Sequence, residues 1–280
     1  MAPWSRSVSW FFAGLVAGAL VGFFALRLFR PRRRYFAACE YWVYLPGVAS
    51  PSQEAVMSRM VRDSPYAPAI GPREGMMFSD IRLHVALVLR SKNPHVFRPD
   101  LFGSHIEPSA EQLSALADSN SIYKARFISE EPLKDDRHLQ FPPHMAAAAA
   151  DLADGRIVFD TVAERLFTPQ WLHERLLEDG NAARPDLHVR VVWTSAGASG
   201  QAETRGLVKV GLPELVTEPA AADQRVVLAS VLEDAALQLW NARSVPPTMR
   251  VEAYGDDFEI HISATKKGPY RARVYRAQRP

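Results

Sequence analysis

The chain has 280 residues, 48% of them apolar and 23% charged, a balance that supports a folded body and excludes a wholly disordered chain. Its net charge of +2 is unevenly placed: residues 1–38 and 264–280 each hold six basic residues and no acid, which leaves 21 basic against all 31 acidic residues between them, a net −10. An acidic body is a poor general nucleic-acid binder, and the single Cys39 excludes an intramolecular disulfide.

The first predicted element is Val8–Leu26, nineteen residues without a charge, followed by Arg27, Arg30, Arg32, Arg33 and Arg34. A helix of that length spans about 28 Å, close to the ~30 Å hydrocarbon thickness of a bilayer, and predicts one N-terminal transmembrane helix. The alternative is the apolar part of a cleaved signal peptide. Against it stand the length of the run, the positive charge after rather than before it, and the lack of a small-x-small site closing it. Positive flanks stay on the cytoplasmic side, so the body is expected there, with the basic ends able to rest on an anionic leaflet. Gly14, Gly18 and Gly22 recur every fourth residue and line one helix face, a pattern that lets a second backbone approach and predicts a homodimer through the anchor.

Beyond the anchor, Arg34–Leu45 is aromatic-rich and reads as an extended stalk leaving the membrane. Ser50-Pro51-Ser52-Gln53 carries a capping-box signature for a helix to about Arg62, and Ser64–Gly75 is a proline- and glycine-rich linker. Ile81–Arg90 alternates as a half-buried strand, Pro108–Asp118 reads as a helix and Ile122–Ile128 as a strand. Pro142–Ala153 is helical by propensity, Ile157–Phe159 and Arg165–Phe167 are short strands, and Thr168-Pro169 opens a helix burying Trp171, Leu172 and Leu176. His188–Thr194 alternates with Val189, Val191 and Trp193 inward and His188, Arg190 and Thr194 outward; a loop at Ala196–Gln201 leads to a strand near Ala202–Val210.

The longest periodic helix is Ala222–Asn241, with Leu228, Val231, Leu232, Ala235 and Leu239 on one face, and three closing strands, Met249–Tyr254, Phe258–Ser263 and Tyr270–Arg276, form a meander. The expected class is α+β, a mainly antiparallel or mixed sheet with packed helices, preceded by the transmembrane helix. The organisation expected is a tail at 1–7, the anchor at 8–26, a basic juxtamembrane segment, stalk and linker at 27–75, and a globular domain at 76–280.

Thr204-Arg205-Gly206-Leu207-Val208-Lys209-Val210-Gly211-Leu212-Pro213-Glu214-Leu215 is similar to a T-x-G-[LM]-x-x-[FV]-G-x-P-[ED]-L signature of uncharacterised bacterial domains of unknown function, with Val210 where Phe is expected. The resemblance implies a strand that leaves a sheet into a tight turn followed by a helix, over about residues 80–242, and implies no activity.

Chemistry is sparse in the motifs. There is no H-E-x-x-H, paired cysteine, G-x-S-x-G elbow or phosphate-binding G-K-[ST], so neither metal nor cofactor is expected. Asp80, His84, His138 and His144 are the catalytic candidates, with His138 and His144 placed in a loop around Gln140-Phe141-Pro142-Pro143. Two functions compete. One is a non-enzymatic interaction or scaffold module at the cytoplasmic face, with an unknown protein partner. The other is a membrane-tethered hydrolase built on those four residues.

Overall fold

The computed structural model describes residues 36–61, 79–103, 105–179, 182–266 and 268–277. The expected anchor, its arginine flank, its glycine face and the linker at 64–75 lie outside them, and no described helix is long and apolar enough to cross a membrane.

The first sheet is built around β1 (Ala37–Leu45). Cys39, Tyr41, Val43 and Leu45 alternate onto a buried face, and the strand has a hydrogen-bonded neighbour on both sides. β3 (Ser121–Ser129) pairs antiparallel along its whole length, from Ala37 opposite Ser129 to Leu45 opposite Ser121. β4 (Ile157–Asp160) pairs on the other side, with Tyr41 opposite Asp160. β2 (Leu83–Leu89) and β5 (Arg165–Phe167) are the edges, giving the antiparallel order β2-β3-β1-β4-β5. The expected stalk is therefore the middle strand of a sheet, and the domain begins at about residue 36 rather than 76. Its aromatic residues lie on both sides of the pleat, as a strand covered on two faces requires.

Helices cover that sheet. α1 (Gln53–Val61) starts at Ser52, whose hydroxyl accepts the Ala55 N–H at 3.1 Å, two residues after the cap read at Ser50. α2 (Ala110–Asp118) carries a reciprocal capping box between Ser109 and Gln112. α3 (Arg137–Leu152) begins five residues before the expected start and contains Pro142 and Pro143, so His138 and His144 are helical and buried, not in a loop. Tertiary packing overrides the proline penalty here: Phe141, Met145 and the run Ala146–Ala150 are buried, and small side chains let the helix lie close on β1 and β3. On the opposite face Tyr44, Phe97, Phe102, Leu116, Ile122 and Phe159 form a separate cluster, with Phe102 edge-on to Phe159 at 5.1 Å.

The second sheet is mixed. β6 (Arg190–Ala196) and β7 (Ser199–Arg205) make a tight hairpin through Gly197-Ala198, where the sequence suggested a longer loop. β8 (Leu215–Thr217) pairs antiparallel with β7 and parallel with β12 (Tyr270–Arg276), the last strand of the expected meander with β10 (Thr248–Ala253) and β11 (Asp256–Ser263). The order is β10-β11-β12-β8-β7-β6, and the short β9 (Ala220–Ala221) pairs β7. Residues 207–210 form a 3-10 turn rather than the end of a strand, and β8, not a helix, follows it. α4 (Pro169–Asp179) buries Leu172 and Leu176 as expected, and the four-residue α5 (Pro185–His188) precedes β6. α6 (Arg225–Ala242) packs on this sheet through Val231, Leu232, Ala235 and Leu239, as its period predicted. The class is α+β, with one antiparallel and one mixed sheet.

Because β1 supplies the hydrogen bonds between β3 and β4, a fragment of residues 36–280 is expected to melt cooperatively by circular dichroism, whereas residues 76–280 are not. A cooperative melt of the shorter fragment would show that β3 and β4 hold their places without β1.

Candidate functional site

The two sheets meet at a set of ionisable side chains that are closed off from solvent. Asp160 ends β4, and one of its carboxylate oxygens accepts the backbone N–H groups of Val162 and Ala163 at 3.1 and 3.0 Å, turning the chain towards β5. Its other oxygen receives the Lys209 ammonium, an ion pair with both side chains at 0% exposure. Lys209 also donates to His188 Nδ1 at 3.1 Å and lies 5.3 Å from the centre of the Tyr41 ring.

His188 completes the junction. Its Nε2 lies 2.6 Å from the Ala182 carbonyl, which only accepts, so Nε2 carries the proton and Nδ1 is free to accept from Lys209. The Tyr41 hydroxyl is 3.4 Å from the same nitrogen. Burial, then the Lys209 charge, pushes the His188 pKa well below the usual histidine value, consistent with a neutral ring. The ring stacks on Trp240 of α6 at 5.7 Å, so one imidazole touches elements of both cores. Burial likewise raises Tyr41 well above a phenol's ordinary value and Cys39 to about 12, which keeps both protonated.

Lys209 reaches this position because residues 204–215 are a locked turn. Glu214 accepts the Gly206 and Val208 N–H groups at 2.8 and 3.2 Å through one oxygen and the Thr204 hydroxyl at 2.7 Å through the other. Thr204 Oγ1 in turn accepts the Leu215 N–H at 2.8 Å. Gly206 sits at φ +112°, and a Cβ there would fall 2.0 Å from the His188 carbonyl oxygen, so this position admits only glycine. In this chain the turn at 204–215 thus places one lysine.

An open groove adjoins the junction, with a volume of about 540 Å³, lined by Arg165, Val189, Arg190 and Val191 on one side and by Glu233 and Leu237 of α6 on the other. Arg165 stands opposite Asp160 in the β4–β5 pairing. Its guanidinium donates to the Asp186 and Val189 carbonyls at 2.8 and 3.1 Å, and Arg190 donates to the Glu164 carbonyl at 2.9 Å. Backbone carbonyls therefore aim both cations, and among the described residues neither has a carboxylate within ion-pair distance. Burial lowers the pKa of both, the sign of cations partly stripped of water.

The four residues singled out from sequence are dispersed. Asp80 is held by Arg82 at 2.7 Å, which keeps its carboxyl below the usual range. His84 faces solvent on the edge strand β2. His138 donates through Nε2 to the Lys209 carbonyl at 2.8 Å, behind the junction, and His144 is 1% exposed on α3. Among the described residues no group of three or more His, Cys, Asp or Glu is placed to hold a metal. The residues that do converge, Tyr41, Asp160, His188 and Lys209, were missed. His188 was read on the outward face of β6 but closes α5 and is buried. The available signal was Lys209 itself, one charge in the apolar run Leu207–Val210 between two glycines. Comparison with protein-family models, curated proteins and solved structures finds no match in any of the three.

Two outcomes test the junction. Lys209→Met strands the Asp160 carboxylate in the interior and is expected to cost ~3–5 kcal/mol in urea denaturation, with much of the loss recovered when Asp160→Asn is added. A double variant destabilised by the sum of the two single variants would mean that the charges are independent.

Histidine burial sets the acid response. His144 is lowered by burial from 6.5 to about 4, and His138 and His188 are lowered for the same first reason. The unfolded chain then binds more protons than the folded one below pH 6.5, so stability falls as pH falls from 6.5 towards 4. His144 alone accounts for roughly 3 kcal/mol of that loss by pH 4. His144→Leu should flatten the dependence of the urea midpoint on pH in that window, and an unchanged slope would place the proton uptake elsewhere.

Proposed function

We propose that the chain is a single-pass membrane-anchored, non-enzymatic interaction module whose body lies at the cytoplasmic face. The apolar run Val8–Leu26 and the five arginines that follow it support the anchor and its direction. The spacing of Gly14, Gly18 and Gly22 supports a homodimer through that helix. The observation that carries the module reading is the groove: two guanidiniums aimed by backbone carbonyls, with no carboxylate within ion-pair distance among the described residues, beside the apolar surface of Val189, Val191 and Leu237. Desolvated, pre-oriented charge next to apolar area is what a partner uses for orientation and affinity. Beneath it the ionisable groups of the junction are fully buried and already hydrogen-bonded to one another, a role in holding the groove's wall.

A C-terminal fluorescent-protein fusion is expected to be bright and a C-terminal alkaline phosphatase fusion inactive. A photo-crosslinking residue at Leu237 should capture a discrete protein partner in membranes, and Arg190→Gln should reduce that product at least about fivefold while the melt of the domain is retained. Active phosphatase would reverse the orientation, and a crosslink indifferent to Arg190→Gln would remove the groove from the interaction.

A further inference from the structure

The groove has two walls of opposite charge, and both are short of partners. A guanidinium carries five N–H donors; Arg165 commits two of them to carbonyls and Arg190 one. The remaining donors of each form part of the planar fork that matches a carboxylate. Across the groove, Glu233 and Asp234 follow one another on α6, and neither has a hydrogen bond or ion pair among the described residues. Glu233 is raised above the usual carboxylate value by desolvation and then by Asp234, and Arg165 across the groove lowers it by less. The other acid at the rim, Asp186, is held by Arg184 at 3.1 Å.

Between these walls lies apolar surface from Pro185, Val189, Val191, Ala236 and Leu237. Two cations face two anions, so the groove is close to neutral as a whole and strongly dipolar across its width. An inorganic phosphate would gain on the arginine wall and lose on the acidic one. A ligand of opposite dipole gains on both.

From this we infer that the groove binds a short zwitterionic peptide, its carboxylate on Arg165 and Arg190, its ammonium on Glu233 and Asp234, and its side chains on the Val189, Val191 and Leu237 surface. The volume of about 540 Å³ lies within the range of small-ligand sites. This ligand class rests on reading the groove as the binding site of a non-enzymatic module. It deepens that reading by giving the module a ligand whose two ends are read separately.

The test is calorimetric titration of the full chain in lipid nanodiscs with leucyl-alanine and leucyl-alanyl-alanine. At least one of the two is expected to bind saturably with a Kd of about 1 mM or tighter. N-acetylation and C-amidation of that peptide should each weaken binding at least about tenfold. Arg190→Gln should abolish the preference for free acid over amide and leave the preference for free amine, and Glu233→Gln should do the reverse. Absence of saturable binding by both peptides, equal binding of the capped forms, or binding of inorganic phosphate in their place overturns the inference. The Leu237 crosslink separates the two readings. Capture of a partner without peptide binding removes the ligand class alone, and peptide binding without Arg190-dependent capture removes the protein-interaction reading alone.

Discussion

The buried Lys209–Asp160 ion pair joins one sheet of this domain to the other. Taking two charges out of water costs several kcal/mol per ion, and the interior offsets it only when geometry and further hydrogen bonds satisfy what remains. Here the remainder is met with little waste: Asp160 caps its own turn, and Lys209 divides its donors between a carboxylate and a neutral imidazole. Such a pair is a poor source of net stability compared with apolar packing. It is an effective means of registration, because a charge displaced from its partner has nowhere else in the interior to go.

That registration reaches the groove through two short paths. Asp160 stands opposite Arg165 across β4 and β5, and His188 lies between Val189, whose carbonyl receives Arg165, and Ala182, whose carbonyl receives the imidazole. The buried cluster therefore fixes the backbone that aims the half-buried cations of the groove. Rigid support beneath a charged surface lowers the ordering cost of binding, which is how a structural core contributes to recognition without touching a ligand.

Legibility in the sequence followed the strength of local pattern. Alternation revealed β3, β6 and the closing meander, and the 3.6-residue period revealed α6, because in each the pattern is set by neighbours a few residues apart. The face of β6 differs from the one expected, since Val192 is buried while Val189, Val191 and Trp193 are half-buried, and β7 lies at Ser199–Arg205 rather than near Ala202–Val210. β1 was assigned to a stalk because it follows the apolar run, although its buried alternation at Cys39, Tyr41, Val43 and Leu45 was present in the sequence. The start of α3 was displaced by Pro142 and Pro143, whose penalty is outweighed by contacts with β1 and β3 that no local window contains. The site was illegible for a related reason: Tyr41, Asp160 and His188 are each unremarkable in their own segments, Lys209 stands out only as a lone charge in an apolar run, and all four acquire meaning from partners up to 168 positions away.

The central position of β1 has a consequence for the order in which the chain can fold. Among the described residues it is the first strand to be synthesised, yet Asp160, which faces Tyr41, follows about 120 residues later. At translation rates of roughly 5–20 residues per second, that delay is about 6–24 s. Both edges of the strand lack their native neighbours until β3 follows, about 84 residues after Tyr41, and the edge that takes β4 stays open for the whole interval. Pairings this distant raise contact order and slow folding, since loop closure must precede any gain from the contact. A nascent chain of this design therefore has a long vulnerable interval on the ribosome, in which protection of its first strand by a chaperone or a nearby surface matters more than the stability of the finished sheet.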